Sequence, residues 1–288
     1  MTGTVSARSH EQLGRIARVG AVNLVGSVVS AVAAFLLVVL VANYTEESSA
    51  GMLFAAVSVL TIATAICTLG TDTGLARFAL RYESQGRYGD VTAAIRAAVT
   101  PVAVVVVVLS SVLFASWLAP ALGLGDAGGT TMLRLTALVL PFATANDLAL
   151  AATRSFGKMR PTVAVDSFLR SILQVVGVVV AGSIGATAAG LAGGWMLPYV
   201  ATGILAVVVA VRTIRRRSRT WPEHAAGDRS AVRREFWLYT WPRGVARMAQ
   251  IAIQRADIII VAALISPAAA AVYTAATRFV VLGQFSSM

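Results

Sequence analysis

The chain has 288 residues, 57% of them hydrophobic, and a mean hydropathy of +0.77, which excludes an ordinary soluble domain. Its formal charge of +11 would suggest a nucleic-acid partner in a soluble protein. Here the basic residues follow a membrane-topology pattern, so no nucleic-acid partner is expected.

Residues 1–19 are polar and carry Arg8, Arg15 and Arg18. They lead into an apolar stretch, 20–42, with no convincing small-residue cleavage site, which reads as a retained signal-anchor. Seven more apolar stretches follow, at 51–71, 92–117, 131–153, 162–183, 186–211, 243–265 and 269–288. Each approaches the ~20 residues that cross ~30 Å of hydrocarbon as a helix. None has the alternating pattern of an outer-membrane barrel. The expected fold is an all-α, multi-pass transmembrane bundle of about eight spans.

Of the 24 Lys and Arg residues, 17 lie between these stretches, and all 17 fall in alternate connections. Those connections are the N-terminus, 72–91 (Arg77, Arg81, Arg87), 154–161 (Arg154, Lys158, Arg160) and 212–242, which has eight arginines. The other connections carry Glu46, Glu47 and Asp126 instead. Basic loops stay on the cytoplasmic side during insertion, so the pattern predicts a cytoplasmic N-terminus and a multi-pass protein of the cell (inner) membrane. Anionic head groups are the expected contacts of the 212–242 arginines.

The outer turns "NYTEESSA" (43–50), "PALGLGDAGGTT" (120–131), "GSIGAT" (182–187) and "ISPAAA" (265–270) are short and rich in turn formers. The long connection 212–242 divides six spans from two. Its second half, Arg229–Tyr239, reads equally as an interfacial amphipathic helix with Phe236, Trp237 and Trp241 at head-group depth, or as an exposed linker. Residues 45–56 align weakly with 265–276, sharing Ala50/Ala270, Ala55/Ala275 and Ala56/Ala276. Both are outer turns leading from the first to the second span of a block, which suggests two parallel halves. The expected organisation is a cytoplasmic N-terminus (1–19), a six-helix lobe (20–211), a basic linker (212–242) and the start of a second lobe (243–288). The second lobe is expected to continue beyond Met288 in a longer protein.

Chemistry of the enzymatic kind is sparse. Cys67 is alone and His10 and His224 lie in connections, so no metal site and no histidine-based catalysis are expected. No phosphate-binding glycine loop appears, so ATP hydrolysis and bound cofactors are not expected either. The informative residues are polar groups inside the spans, each of which needs a partner, a cavity or an interface. At 100° per residue, Arg243, Arg247, Gln250, Gln254 and Asp257 share a sector of about 80° on the seventh span. That stripe reads as a cavity wall, with an interhelical hydrogen-bond seam as the alternative. Arg255 lies about 120° away from it. Thr61, Thr64, Thr68 and Asp72 form a similar stripe on the second span, where cavity lining and polar packing are balanced. Asp166, Arg170 and Gln174 stand at i, i+4 and i+8 and read as a structural ion pair with a neighbour. Arg134 follows an outer turn and either snorkels to head groups or faces the cavity. Asn146, Asp147 and Arg278 are intramembrane polar groups whose partners spacing does not give. Arg278 is expected to face the interior.

Four segments carry a family resemblance. They are the first hairpin with Gly51, the end of the second span "LGTDTGLARFALRY" (69–82), the basic turn "ATRSFGKMRP" (152–161), and 239–279 with Pro242, Asp257, Pro267 and Tyr273. Together they resemble the oligosaccharide flippases of the MOP superfamily, the Wzx-like polysaccharide exporters. Two features depart from the pattern: Ala271 stands where a glycine is usual, and Arg255 adds a charge near Asp257. The resemblance implies two six-helix lobes around a central cavity. It also implies transfer of a polyprenyl-pyrophosphate-linked oligosaccharide from inner to outer leaflet for cell-surface polysaccharide assembly, by alternating access. Membrane lipids, a polysaccharide polymerase and glycosyltransferases are the implied partners. On this reading the chain is not an enzyme. Its cavity candidates are Arg247, Gln250, Gln254, Asp257, Arg134, Thr68, Asp72 and Arg278. The alternatives are a drug or metabolite exporter of the same superfamily, a polytopic enzyme on lipid-linked sugars, and a non-transporting scaffold.

Overall fold

The computed structural model describes the backbone of residues 3–156, 160–221 and 228–285, and the side chains of 20–21, 24–156, 161–221 and 228–277. It is 89% helix, with no strand among the described residues. Two long helices, α1 (Gly3–Tyr44) and α2 (Glu47–Thr68), form the first hairpin, and α3 (Thr71–Ser84) continues the second span. α4 (Tyr88–Phe114) and α5 (Ala127–Ser155) follow. Next come α6 (Arg160–Thr162), π-helical turns over Val163–Arg170, and α7 (Ser171–Ser183), which together form one rod. α8 (Ala188–Met196) and α9 (Pro198–Ser218) make the last rod of this group, and α10 (Arg229–Leu264) and α11 (Pro267–Phe285) close the chain as a hairpin.

Six rods are long and apolar enough to cross a membrane: Leu24–Tyr44, Glu47–Ser84, Tyr88–Phe114, Ala127–Ser155, Val163–Ser183 and Ala188–Ser218. α10, the expected seventh span, is helical and long but carries Arg243, Arg247, Arg255 and Asp257, so it is less apolar than the six. Its eighth partner is the helix α11, whose side chains are described as far as Thr277.

The helix ends are locally encoded. Asp126 caps α5 by accepting from the Gly129 amide at 2.7 Å, and Asp228 caps α10 by accepting from the Ser230 amide at 2.9 Å. Gly123 and Gly185 supply positive φ in the turns over 120–131 and 182–187, at 71° and 66°. Pro101 lies inside α4 and withholds the N–H that the Ala97 carbonyl needs; the Trp237 indole donates to that oxygen at 3.2 Å instead.

α2 and α5 are the central helices: 72% and 61% of their apolar windows are buried, against 28% for α1, α4 and the Val163–Ser183 rod. Thr64 and Thr68 of α2 and Thr136, Thr144 and Asn146 of α5 are accordingly buried within the protein. Packing relies on small residues, as expected where lipid removes the hydrophobic drive between helices. Gly177 of α7 meets Gly194 of α8 backbone to backbone, and Gly203 of α9 meets the Phe142 carbonyl of α5.

The second span is interrupted. Leu69 and Gly70 both have left-handed backbone, φ 50° and 74°, and separate α2 from α3. The Thr71 hydroxyl donates to the Thr68 carbonyl at 2.7 Å, which satisfies a group the break exposes. α10 runs antiparallel to α2 and α3 and crosses them at this break. A Cβ on Gly70 would lie 2.5 Å from the Gly244 Cα, so both positions need glycine. At the opposite end, Gly51 abuts the Pro267 carbonyl. The two weakly repeated segments, 45–56 and 265–276, thus touch one another.

Candidate functional site

A cavity of about 330 Å³ opens beside the broken second span. One wall is polar by way of Thr61, Thr64 and Thr68 of α2 and Asp72 of α3. Across from it stand Asp147 and Arg154 of α5, Asp166 and Arg170 of the π-helical turns, and Tyr199 of α9. Arg247 and Ile251 of α10 close the side. Three aspartates and three arginines therefore line one small volume, and their formal charges balance.

The threonines contribute little free hydrogen-bonding capacity. Thr61 and Thr64 each donate to the carbonyl four residues back at 2.8 Å, and Thr68 donates to Ala65 at 3.0 Å. Their oxygens keep acceptor capacity.

The charged groups divide into a tight pair and a loose one. The Arg170 Nε donates to Asp166 Oδ1 at 2.8 Å. Its Nη1 donates to the Tyr199 hydroxyl at 3.2 Å and to Gln174 Oε1 at 3.4 Å, and its guanidinium lies 5.1 Å from the Tyr199 ring. Asn146 adds a donor to Asp166 Oδ1 at 3.2 Å, and Gln174 is itself anchored on the Trp195 carbonyl at 3.0 Å. The expected ion pair is present, but as part of the cavity wall. π-helical turns carry both its members. Such turns are rare and recur at functional sites because the wider turn re-aims side chains.

Arg247 is held far less firmly. Its Nε lies 3.6 Å from Asp72 Oδ2, beyond good hydrogen-bond distance, and its side chain is 53% exposed. Asp72 also accepts from Thr73 at 3.3 Å. This contact joins α10 to the six-span group through the cavity itself.

Of the expected cavity residues, the fold brings Thr68, Asp72 and Arg247 together. It does not bring in the rest of the seventh-span stripe. Gln250 and Gln254 are exposed, and Asp257 accepts from the Tyr273 hydroxyl of α11 at 2.9 Å. The reason is the packing face of α10. Along its membrane-depth half Thr240, Gly244, Ile258 and Ala262 are buried, and Gln250 and Asp257 lie about 100° and about 120° round from that line. Of the stripe, only the long Arg247 side chain, at the edge of the packed face, reaches the cavity. Arg134 sits 6.0 Å from the Phe114 ring, where α4 ends and α5 begins, away from the cavity. Arg278 lies outside the described side chains.

Three cavity residues were not among the expected ones. Arg154 reads in sequence as a topology marker, Asp147 as an acid without a partner, and Tyr199 as part of an apolar run. Asp147 and Arg154 stand at i and i+7 on one face of α5, a spacing that could have joined them, but Tyr199 comes from α9, whose pairing with α5 depends on the Gly203–Phe142 contact.

A family model described as polysaccharide biosynthesis protein matches residues 16–286. The chain belongs to this polysaccharide biosynthesis protein family. It is the family of the MOP-superfamily polysaccharide exporters, a family of transporters rather than enzymes. The membrane-crossing helices and the cavity between them accord with that membership. No curated protein matches the chain. A solved structure, that of "protein A", shares the fold, with a TM-score of 0.61 at 17% identity, over 91% of this chain and 59% of that one. This member of the polysaccharide biosynthesis protein family thus spans less than two thirds of that protein's length.

Proposed function

We propose that the chain moves a polyprenyl-pyrophosphate-linked oligosaccharide from the inner to the outer leaflet by alternating access. The observation that carries this reading is the loose Arg247–Asp72 contact in an otherwise charge-balanced cavity. A guanidinium matches phosphate oxygens geometrically and donates to two of them at once. A pyrophosphate arriving at Arg247 replaces a carboxylate that is 3.6 Å away, so little bonding is lost on exchange. Arg170, already committed to Asp166, Tyr199 and Gln174, orients the far wall. The polyprenyl tail stays in the bilayer. Asp72, once released, is left without its cation and becomes the group that takes up a proton or metal cation during the return step. Six spans over 20–211 form one lobe and residues from 243 begin the other, and the Arg247–Asp72 contact bridges the two.

The orientation belongs to the same reading: N-terminus and 212–242 inside, Asp126 outside. Its support is the segregation of 17 basic residues into alternate connections. In a Cys67→Ser background, Asp126→Cys is expected to react with an impermeant maleimide in intact cells and Ala225→Cys to be protected. Equal labelling of both positions would refute the orientation.

Transfer itself is tested in vesicles containing the protein and a polyprenyl-pyrophosphate carrying a fluorescent sugar. Addition of an impermeant reductant outside quenches the probe in the outer leaflet only. Protein-containing vesicles are expected to lose the protected fraction over time. A protected fraction as stable as in protein-free vesicles would contradict the proposal.

A further inference from the structure

A second, larger recess lies away from the cavity. It is a groove of about 630 Å³ between α4 and the start of α10, at the arginine-rich end of the bundle. Thr92, Arg96 and Thr100 line one side, and Arg229, Ser230 and Arg233 the other. Three guanidiniums from two separate helices converge on it. Among the described residues none of the three makes an ion pair. Arg229 and Arg233 are one helical turn apart, where like charges repel. The nearest acid in sequence, Asp228, is committed to capping α10 through the Ser230 amide and hydroxyl, at 2.9 and 2.7 Å. The groove is therefore net positive.

Its shape is fixed rather than adventitious. Trp237 ties α10 to α4 by donating to Ala97 at 3.2 Å, beside the groove. Glu235 accepts from Arg81 at 2.6 Å and from the Tyr82 hydroxyl at 2.9 Å, which pins the same turn to α3. The helix face above the groove then changes character. Val104, Val107 and Val108 of α4 are 59%, 65% and 58% exposed. Val104 and Val107 lie within about 80° of Arg96 by helical rotation, so one face of α4 presents a basic mouth followed by an apolar track.

We infer that this groove binds an anionic phospholipid of the leaflet at the arginine-rich end. Its phosphate sits among Arg96, Arg229 and Arg233, and an acyl chain lies along Val104 and Val107. The basic mouth alone suits any phosphate, including a soluble one. The adjoining apolar track is what assigns a lipid. The bound lipid neutralises the repelling arginines and wedges the start of α10 against α4. This inference stands independently of the cavity and its substrate.

The test uses the full chain purified in dodecyl maltoside, with thermal unfolding followed as lipid is added. Dioleoyl phosphatidylglycerol is expected to stabilise it at tenfold lower concentration than dioleoyl phosphatidylcholine. Inorganic phosphate at matched phosphorus is expected to give no shift. The triple variant Arg96→Gln/Arg229→Gln/Arg233→Gln should weaken the phosphatidylglycerol response at least tenfold. Arg212→Gln/Arg215→Gln/Arg216→Gln, which removes equal charge outside the groove, should change it less than threefold. Equal loss in both variants, or no preference for phosphatidylglycerol, would overturn the inference. An equal response to inorganic phosphate would overturn the lipid assignment. If the triple variant does not elute as a single species, Arg233→Gln alone should weaken the response about threefold, and an unchanged response would count against the site.

Discussion

The cavity and the arginine-rich end of the bundle use the same residue types to opposite effect. At the arginine-rich end, Arg81 meets Glu235 at 2.6 Å and Arg217 meets Glu83 at 2.7 Å. In the cavity, Arg247 and Asp72 stay 3.6 Å apart. Distance alone would rank the end contacts as stronger. Exposure does not separate them: Arg81 and Glu235 are 42% and 41% exposed, Arg247 and Asp72 53% and 28%, and pairs in such surroundings contribute ~0–1 kcal/mol. What holds that end together is aromatic. Phe78 packs against Tyr82 and Phe236, each at 5.6 Å between centroids, and all three are buried. The cavity pair is both loose and open to solvent on the Arg247 side, so exchanging the carboxylate for an incoming anion costs little. The comparison separates charges that trim a surface from charges poised for exchange.

The largest way to break it is to separate the two regions physically. Gly244→Val sets a side chain against the Leu69 carbonyl, a backbone atom that has no freedom to move aside. Membrane abundance of folded protein, read by fluorescence-detected size exclusion, should fall more than tenfold. Gly20→Val, which meets no atom within 4 Å, should leave it unchanged. Next in size is the aromatic core of the arginine-rich end. Phe236→Ala should cost ~3 kcal/mol, the lower range for emptying a buried aromatic site, measured by denaturant unfolding in detergent.

How much of this was legible in sequence follows from which forces are local. The rods could be read because hydropathy and the alternation of basic connections are properties of the chain alone. The tight Asp166–Arg170 pair could be read for the same reason, being one turn apart. The break at Leu69 and Gly70 could not, since it is made possible by Gly244, 174 residues later. The seventh-span stripe misled because a shared helical face does not say which face packs. Small and apolar residues on α10 took the inner position, and Gln250 and Asp257 were left outside it.

Two smaller effects sharpen the contrast. Asp166→Ala removes the carboxylate from an Arg170 that is only 20% exposed and should cost ~2 kcal/mol, within the range for stranding a hydrogen-bonded charge. Replacing Arg170 by Gln in the same chain should recover part of that loss, as a double-mutant cycle in unfolding would record. Glu235→Gln breaks an exposed pair and should cost no more than ~1 kcal/mol, with the difference shrinking further at high salt.

The most direct measurement of the central claim is the transfer rate of Arg247→Ala beside Arg255→Ala in the vesicle assay. The two substitutions remove the same charge from the same helix, but Arg247 faces the cavity and Arg255 does not line it. The account predicts that Arg247→Ala lowers the rate at least tenfold with protein abundance within twofold of wild type, while Arg255→Ala stays within threefold. A transfer rate abolished by Arg255→Ala and retained by Arg247→Ala would contradict it.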